Sequence, residues 1–303
     1  TEGQDCGQQG GEVAYSPADR WIRSRLGATI AEVRARLDEY RFDLAAQALY
    51  EFAWYEYCDW YLELSKPALQ SADASAAQKR GTRQTLVQVL EAYLRLLHPM
   101  MPFITEEIWQ SVAPLAARSG PTIMLQAYPA TTEFPQDAAA ERAIAAIKAA
   151  ILGARQIRGQ LDIPQSREIV IHYQSPHEQD QQSLAASLSV VKAVGRISDL
   201  KIAAVGTQLP PSASTSIDQR TISAPLAGLI DDPAAELARL QKRKAKAEQE
   251  LGKARGKLSN PNFVASAPGD IVAEVHERIA NFERQVAEAE QQEQAVRALV
   301  AQR

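Results

Sequence analysis

Two long stretches of three-and-four spacing, back to back near one end of the chain, constrain its fold more than any other feature. Leu237, Leu240, Lys244, Ala247, Leu251, Ala254 and Leu258 form the first series. Val272, Val275, Ile279, Phe282, Val286, Ala289, Glu293, Val296 and Val300 form the second. Heptad spacing of this kind predicts helices that bury a narrow seam against a partner. Between them lies SNPNFVASAPGD, whose Asn-Pro and Pro-Gly steps cannot continue a helix. The two limbs must therefore fold back as an antiparallel hairpin. Their charges agree. From Arg239 to Lys257 eight basic residues face only Glu248 and Glu250, whereas from Ile271 to Glu293 six glutamates face Arg278 and Arg284. Opposite charge on facing limbs favours this pairing, at a few tenths of a kcal/mol per exposed pair. A hairpin that satisfies its own seam has no need of a second copy, so a monomer is expected.

The rest of the chain divides by periodicity. From Pro17 to about Leu161 the pattern is helical, opened by a Ser16–Pro17 start with Asp19 in the first turn. Trp21, Ile22, Leu26, Ile30, Val33 and Leu37 mark the first helix. A second is expected from about Asp43 to Leu64, ending before Pro67, and a third from Thr82 to Leu97. HPMMPF predicts a break, TEEIWQSV a shorter helix, and the stretch after Asp137 a fifth, carrying Ile144, Ile147, Ile151, Ala154, Ile157 and Leu161. Such helices joined by short loops make a bundle. From about Pro164 to Ile230, REIVIHYQ, DLKIAAVG and TISAPLAG read as strands, with one helical piece over Asp180–Val194 and TQLPPSASTS as a loop. The expected fold class is mainly α: a helix bundle over 17–163, a small α/β junction over 164–232 and an antiparallel coiled-coil arm over 233–303. Residues 1–16 read as a linker.

Composition narrows the function. A formal charge of −4 means that any nucleic-acid contact must use local basic patches on a mildly acidic body. No apolar run approaches the roughly 20 residues that span a bilayer, so no membrane partner is expected. Cys6 and Cys58 make no disulfide framework, and His98, His172, His177 and His276 do not cluster with them, so neither a metal nor an oxidising compartment is expected. Cys58 reads as a small buried hydrophobe. Asp59 and Glu63, four apart, read as surface or hydrogen-bonding groups rather than a catalytic pair.

Specific strings go further. ADRWIRSRL, YRFDLAAQALYEFAWYEYCDWYLELSKP and LRLLHPMMPFITEEIWQ resemble the anticodon-binding bundle of the class I aminoacyl-tRNA synthetases for branched aliphatic amino acids. CDWYLE followed by Lys-Pro resembles the form found in bacterial valyl-tRNA synthetases, as does the KLSNPNFVASAP turn. EGQDCG resembles the link that follows the catalytic core there. The resemblance spans essentially the whole sequence and is weakest between about Ser175 and Thr221. It implies the tRNA-binding carboxy-terminal portion of a cytoplasmic valine–tRNA ligase, with tRNA(Val) as partner and no DNA. Neither an HIGH-like nor a KMSKS-like string is present, so the segment itself would be inactive and hold no cofactor. ATP and the editing site would belong to the missing catalytic part.

The same resemblance points to residues. Reading an anticodon means stacking and hydrogen-bonding splayed loop bases, for which Arg20, Arg23, Arg41 and Phe42 are candidates. The plainer alternatives are a core staple for Phe42 and a surface salt bridge for Arg20. Trp21, Trp54 and Trp60 could stack on bases but fall on the apolar stripe, which predicts packing. Arg155 and Arg158, three apart, would place two guanidinium groups on one helix face for phosphates, or form a solvated helix end. The family pattern often has a glutamate after the second arginine, where this chain has Gly159 and Gln160. On the arm, Arg239, Lys242, Arg243 and Lys246 are candidates for backbone contact at the outer corner of tRNA, or else serve only the acidic limb. Two rival readings stay open: the equivalent region of an isoleucyl or leucyl enzyme, and a free-standing coiled-coil adaptor.

Overall fold

The computed structural model describes residues 3–259 and 269–301, which form two compact units. The first comprises residues 3–151 and 177–196, the second 152–176, 197–259 and 269–301. The boundaries expected at 163 and 232 therefore do not coincide with the compact units.

In the first unit, α1 (Pro17–Asp38) starts where the Ser16–Pro17 pair predicts. Ser16 and Asp19 cap each other: the Asp19 N–H donates to Ser16 Oγ at 3.2 Å and the Ser16 N–H to Asp19 Oδ2 at 2.8 Å. Asp19 is wholly buried, and it also accepts from Tyr61 Oη at 2.7 Å and Thr82 Oγ1 at 3.1 Å. Burial raises its pKa despite these donors. The α1 face carrying Ile22, Leu26, Ile30 and Val33 is fully buried, as its spacing requires. At Gly27 a Cβ would collide with the Phe134 carbonyl, so glycine sets how closely α1 approaches that loop.

The second predicted helix is three segments in one: α2 (Phe42–Glu51), a π-helical run over Phe52–Tyr61, and α3 (Leu62–Gln70). The wider π turn lowers the rotation per residue, so the face drawn at 3.6-residue spacing drifts. Two expectations fail for this reason. Trp54 is 54% exposed rather than packed, while Trp21 is buried and Trp60 half-buried. Cys58 is exposed rather than a buried hydrophobe. The helix also runs through Pro67 instead of stopping before it. Proline removes one ladder bond there, a turn from the end, and the Ser71 N–H closes that turn on the Pro67 carbonyl at 2.9 Å.

Helix α4 (Ala76–Leu97) starts six residues before the predicted Thr82, because Ser75 and Gln78 form a capping box. Helix α5 (Pro102–Val112) likewise starts at Pro102, ahead of the predicted TEE. Residues 3–14, expected as a linker, are fastened to α4: Arg80 pairs with Asp5 at 2.7 Å and donates to the Glu12 carbonyl at 2.6 Å. Helix α6 (Ala138–Gln160) continues from the first unit into the second.

The second unit holds a four-stranded sheet, β1 (Ile169–Gln174), β2 (Ile197–Ala203), β3 (Ser212–Ile217) and β4 (Arg220–Pro225), in the order β2-β1-β4-β3. β1 and β2 are parallel; β4 is antiparallel to both β1 and β3. The connection from β1 to β2 contains two helices, α7 (Glu178–Ala186) and α8 (Leu188–Gly195), where one was expected; the chain breaks between them at Ser187. β3 corrects the reading of TQLPPSASTS as a loop. Pro210 and Pro211 precede the strand instead of interrupting it, and an edge position tolerates its small polar residues. Asp218 and Gln219, both at positive φ, make the tight two-residue turn into β4. Ile169, Ile171, Tyr173, Ile222 and Ala224 are buried on alternate positions. At Gly153 a Cβ would stand 2.7 Å from Ile222, so α6 lies close on β4 only because glycine is there.

The arm is α9 (Pro233–Leu258) and α10 (Gly269–Ala301), paired antiparallel. Arg243–Glu288 at 4.0 Å, Lys244–Glu290 at 2.7 Å and Arg255–Glu283 at 2.6 Å link the limbs: residues 243 and 244 meet 288 and 290, whereas residue 255, further along α9, meets the earlier residue 283. Leu240, Ala247, Ala254, Val275, Ala289 and Val296 are buried in the seam. Near the end of α10 Gln292 and Leu299 are buried, while of the predicted positions Glu293 is half-buried and reached by Gln241 of α9, and Val300 is exposed. Both series have three–four spacing; burial selects the one carrying leucine and brings a glutamine inside with it. The predicted Asn-Pro and Pro-Gly turn lies outside the described residues.

Candidate nucleic-acid interface

The cations of the first unit are largely committed to the fold. Arg20 is exposed but held by Asp137 at 2.7 Å, which itself caps α6 through the Ala140 N–H at 2.9 Å. Arg23 donates to Gln88 Oε1 at 2.7 Å and lies over the rings of Tyr15 and Phe134, at 5.3 and 5.2 Å from their centroids. It lines a cavity of about 250 Å³ with Arg95, Arg118, Glu91 and Glu133. There Arg95, with only 3% of its side chain exposed, bonds to Glu91 at 3.0 and 3.1 Å, to Glu133 at 2.9 Å and to the Ala127 carbonyl at 2.7 Å. Trp109 Nε1 donates to the same Glu91 at 2.9 Å. This is a charged core.

Arg41 and Phe42 are separated from Arg20 and Arg23 by the length of α1, whose 22 residues span roughly 33 Å. The four candidates are therefore not one cluster. Phe42 is 58% exposed, so it is no core staple, and it meets Tyr40 edge-on at 6.5 Å. Arg41 forks onto Asp43 at 2.9 and 2.7 Å, and that bond draws the Asp43 carboxyl down to about 2. Exposed rings beside a guanidinium are chemically suited to stacking on unpaired bases. Sequence reasoning missed others: Phe103, at 89% exposure the barest ring among the described residues, and Met101 and Ile104 beside it. The HPMMPF break was the available signal, because it places apolar residues in the first turn of a helix, where a core face has not begun.

Lys148 is a cation of the same unit set against aromatic rings. Its Nζ lies 4.2 Å from the Trp21 ring centroid and 5.0 Å from that of Trp60. Burial draws its pKa down to about 8, against the opposing pull of Glu56. Arg25 bonds that same Glu56 at 2.8 Å.

In the second unit the two helix-end arginines part company. Arg155 is exposed, whereas Arg158 is buried and directs its Nε and one terminal nitrogen at the Arg167 carbonyl, both at 3.4 Å. The two therefore share no phosphate-binding face: α6 at its end still lies against the sheet, and a spacing of three spans its edge. On the arm, Arg239 is half-buried. It bonds Glu236 at 2.8 and 2.7 Å, the Gln160 carbonyl at 2.8 Å and Asp162. It fastens the root of the arm. Arg243 makes only the loose 4.0 Å contact with Glu288. Lys242 and Lys246, one turn apart and exposed, form no ion pair among the described residues. Of the arm candidates these two are disposed to meet phosphates.

Among the described residues no group of histidine, cysteine and carboxylate side chains could hold a metal ion, and no helix is long and apolar enough to cross a membrane. Comparison with known families gives two matches. The anticodon-binding domain of tRNA ligase matches residues 19–173, just over half of the chain, and the valyl tRNA synthetase tRNA-binding arm matches residues 232–296.

Proposed function

Because the chain belongs to the tRNA ligases, as the tRNA-binding portion of a valyl-tRNA synthetase, we propose that its specific partner is tRNA(Val). The first unit reads the anticodon loop, and the arm holds the outer corner of the tRNA through its backbone. The observation that carries this reading is the Lys242–Lys246 pair, left open on a limb where Lys244 and Arg255 face glutamates, within the segment matched to the tRNA-binding arm. Phosphate contact of this kind gives affinity without reading sequence. Discrimination then falls to the first unit, where Arg41 and Phe42 are exposed at one end of α1. The complete cytoplasmic ligase would join valine to tRNA(Val) at the expense of ATP, in a catalytic part outside this sequence. The segment works as a monomer, its arm closing on itself.

A titration of the chain with tRNA(Val), tRNA(Ile) and tRNA(Leu) tests this. Tightest binding is expected for tRNA(Val), weakened by anticodon substitution. Lys242→Ala with Lys246→Ala should weaken all three alike and reduce the slope of log affinity against log salt by about 2, since each phosphate no longer neutralised removes about 1. Equal affinity for the three tRNAs would sink the specificity, and an unchanged salt slope would remove the arm from the interface.

A further inference from the structure

Gln292 is buried at the root end of the arm. Among the described residues its side-chain carbonyl oxygen, Oε1, has no hydrogen-bond donor, and neither has Oε1 of Gln160, the last residue of α6. Both residues line one small cavity, with Ser212 and Ser214 of β3 and Glu288 of α10 at its sides. The room for the centre of a water-sized sphere in it is about 10 Å³, close to the least that one water needs. A buried amide carbonyl without a donor is destabilising, and two carried by residues that line the same polar space can share one remedy. That remedy is a small molecule with two hydrogens to give.

We propose that a single water is bound between Gln160 and Gln292, donating one hydrogen to each Oε1, and that it fastens the second limb of the arm to α6 and the edge of the sheet. Gln160 then meets both limbs. Its backbone carbonyl accepts from Arg239 of α9 at 2.8 Å, and its side chain reaches Gln292 of α10 through the water. The direct bond and the bridged one together fix the root of the hairpin on both sides.

The sign of a mutational effect tests this. If the water is there, Gln160→Leu or Gln292→Leu removes one of its two partners. Amide hydrogen exchange over residues 285–301 of the full chain should then quicken about tenfold. The double variant should be little faster than either single one, because all three release the same molecule. If no water is held, each leucine replaces an unpaired carbonyl with an apolar group, and exchange should slow or stay the same; that outcome overturns the proposal. A high-resolution crystal structure gives the second readout. A solvent peak within hydrogen-bonding distance of both Oε1 atoms supports it, and two amides bonded directly to each other refute it.

Discussion

The two units use positive charge in opposite ways. In the first, Arg23, Arg25, Arg80 and Arg95 are partly or wholly buried and held by carboxylates, carbonyls and rings. On the arm of the second, apart from Arg239 at its root, the basic side chains pair with solvent-exposed glutamates, as Lys244 and Arg255 do, or stay open, as Lys242 and Lys246 do. A buried guanidinium is kept because its removal strands a charge in low dielectric, whereas an exposed lysine is held by little and is free to bind. Losing a cation should therefore cost stability in one unit and partner affinity in the other.

The sharpest way to break that contrast is Arg95→Leu. It leaves Glu91 buried with only Trp109 and the more distant Arg118, at 3.7 Å, to face it. A loss of about 3–5 kcal/mol is expected in urea unfolding. A loss below about 1 kcal/mol would show that the charged core is dispensable. Lys148 gives a smaller effect with a definite sign. Its folded pKa of about 8 lies below its ordinary value of 10.5, so between these pH values the unfolded chain binds more protons. Stability should rise with pH across that window, and the rise should vanish in Lys148→Met; identical pH profiles for the two proteins would refute the assignment. Smallest of all should be Arg255→Ala, which removes an exposed pair with Glu283. A change under about 0.5 kcal/mol is expected by thermal unfolding, and a larger one would mean that the arm's charges hold it together.

Helix positions and the hairpin arm were legible because burial there follows a single period. Ile22, Leu26, Ile30 and Val33 show it on α1, and Leu240, Ala247 and Ala254 on α9. Legibility failed where the period changes or is shared. The π-helical run turned Trp54 and Cys58 outward, against a reading at 3.6 residues per turn. At Gln292 and Leu299 two heptad frames were equally good by spacing, and packing chose between them. β3 was hidden because Ser, Ala and Thr have little apolar contrast, so its strand character comes from the β4 partner. Candidate site residues were legible by type but not by commitment. Nothing in the spacing of Arg158 or Arg239 announces that one is buried and the other tied to Glu236, since those partners come from pairings made in three dimensions.

The strand order β2-β1-β4-β3 also sets a timetable. β1 is the inner strand that both β2 and β4 need, yet β4 leaves the ribosome some fifty residues after it. Between β1 and β2 the chain passes through residues 177–196, which belong to the other unit. No single cut can therefore separate the two units: a fragment starting at Leu152 would carry residues 177–196 of the first unit, and one starting at Ile197 would lack the strand on which β2 and β4 both pair. The tRNA-binding arm thus springs from a sheet that can close only late in synthesis, when the first unit has already been made.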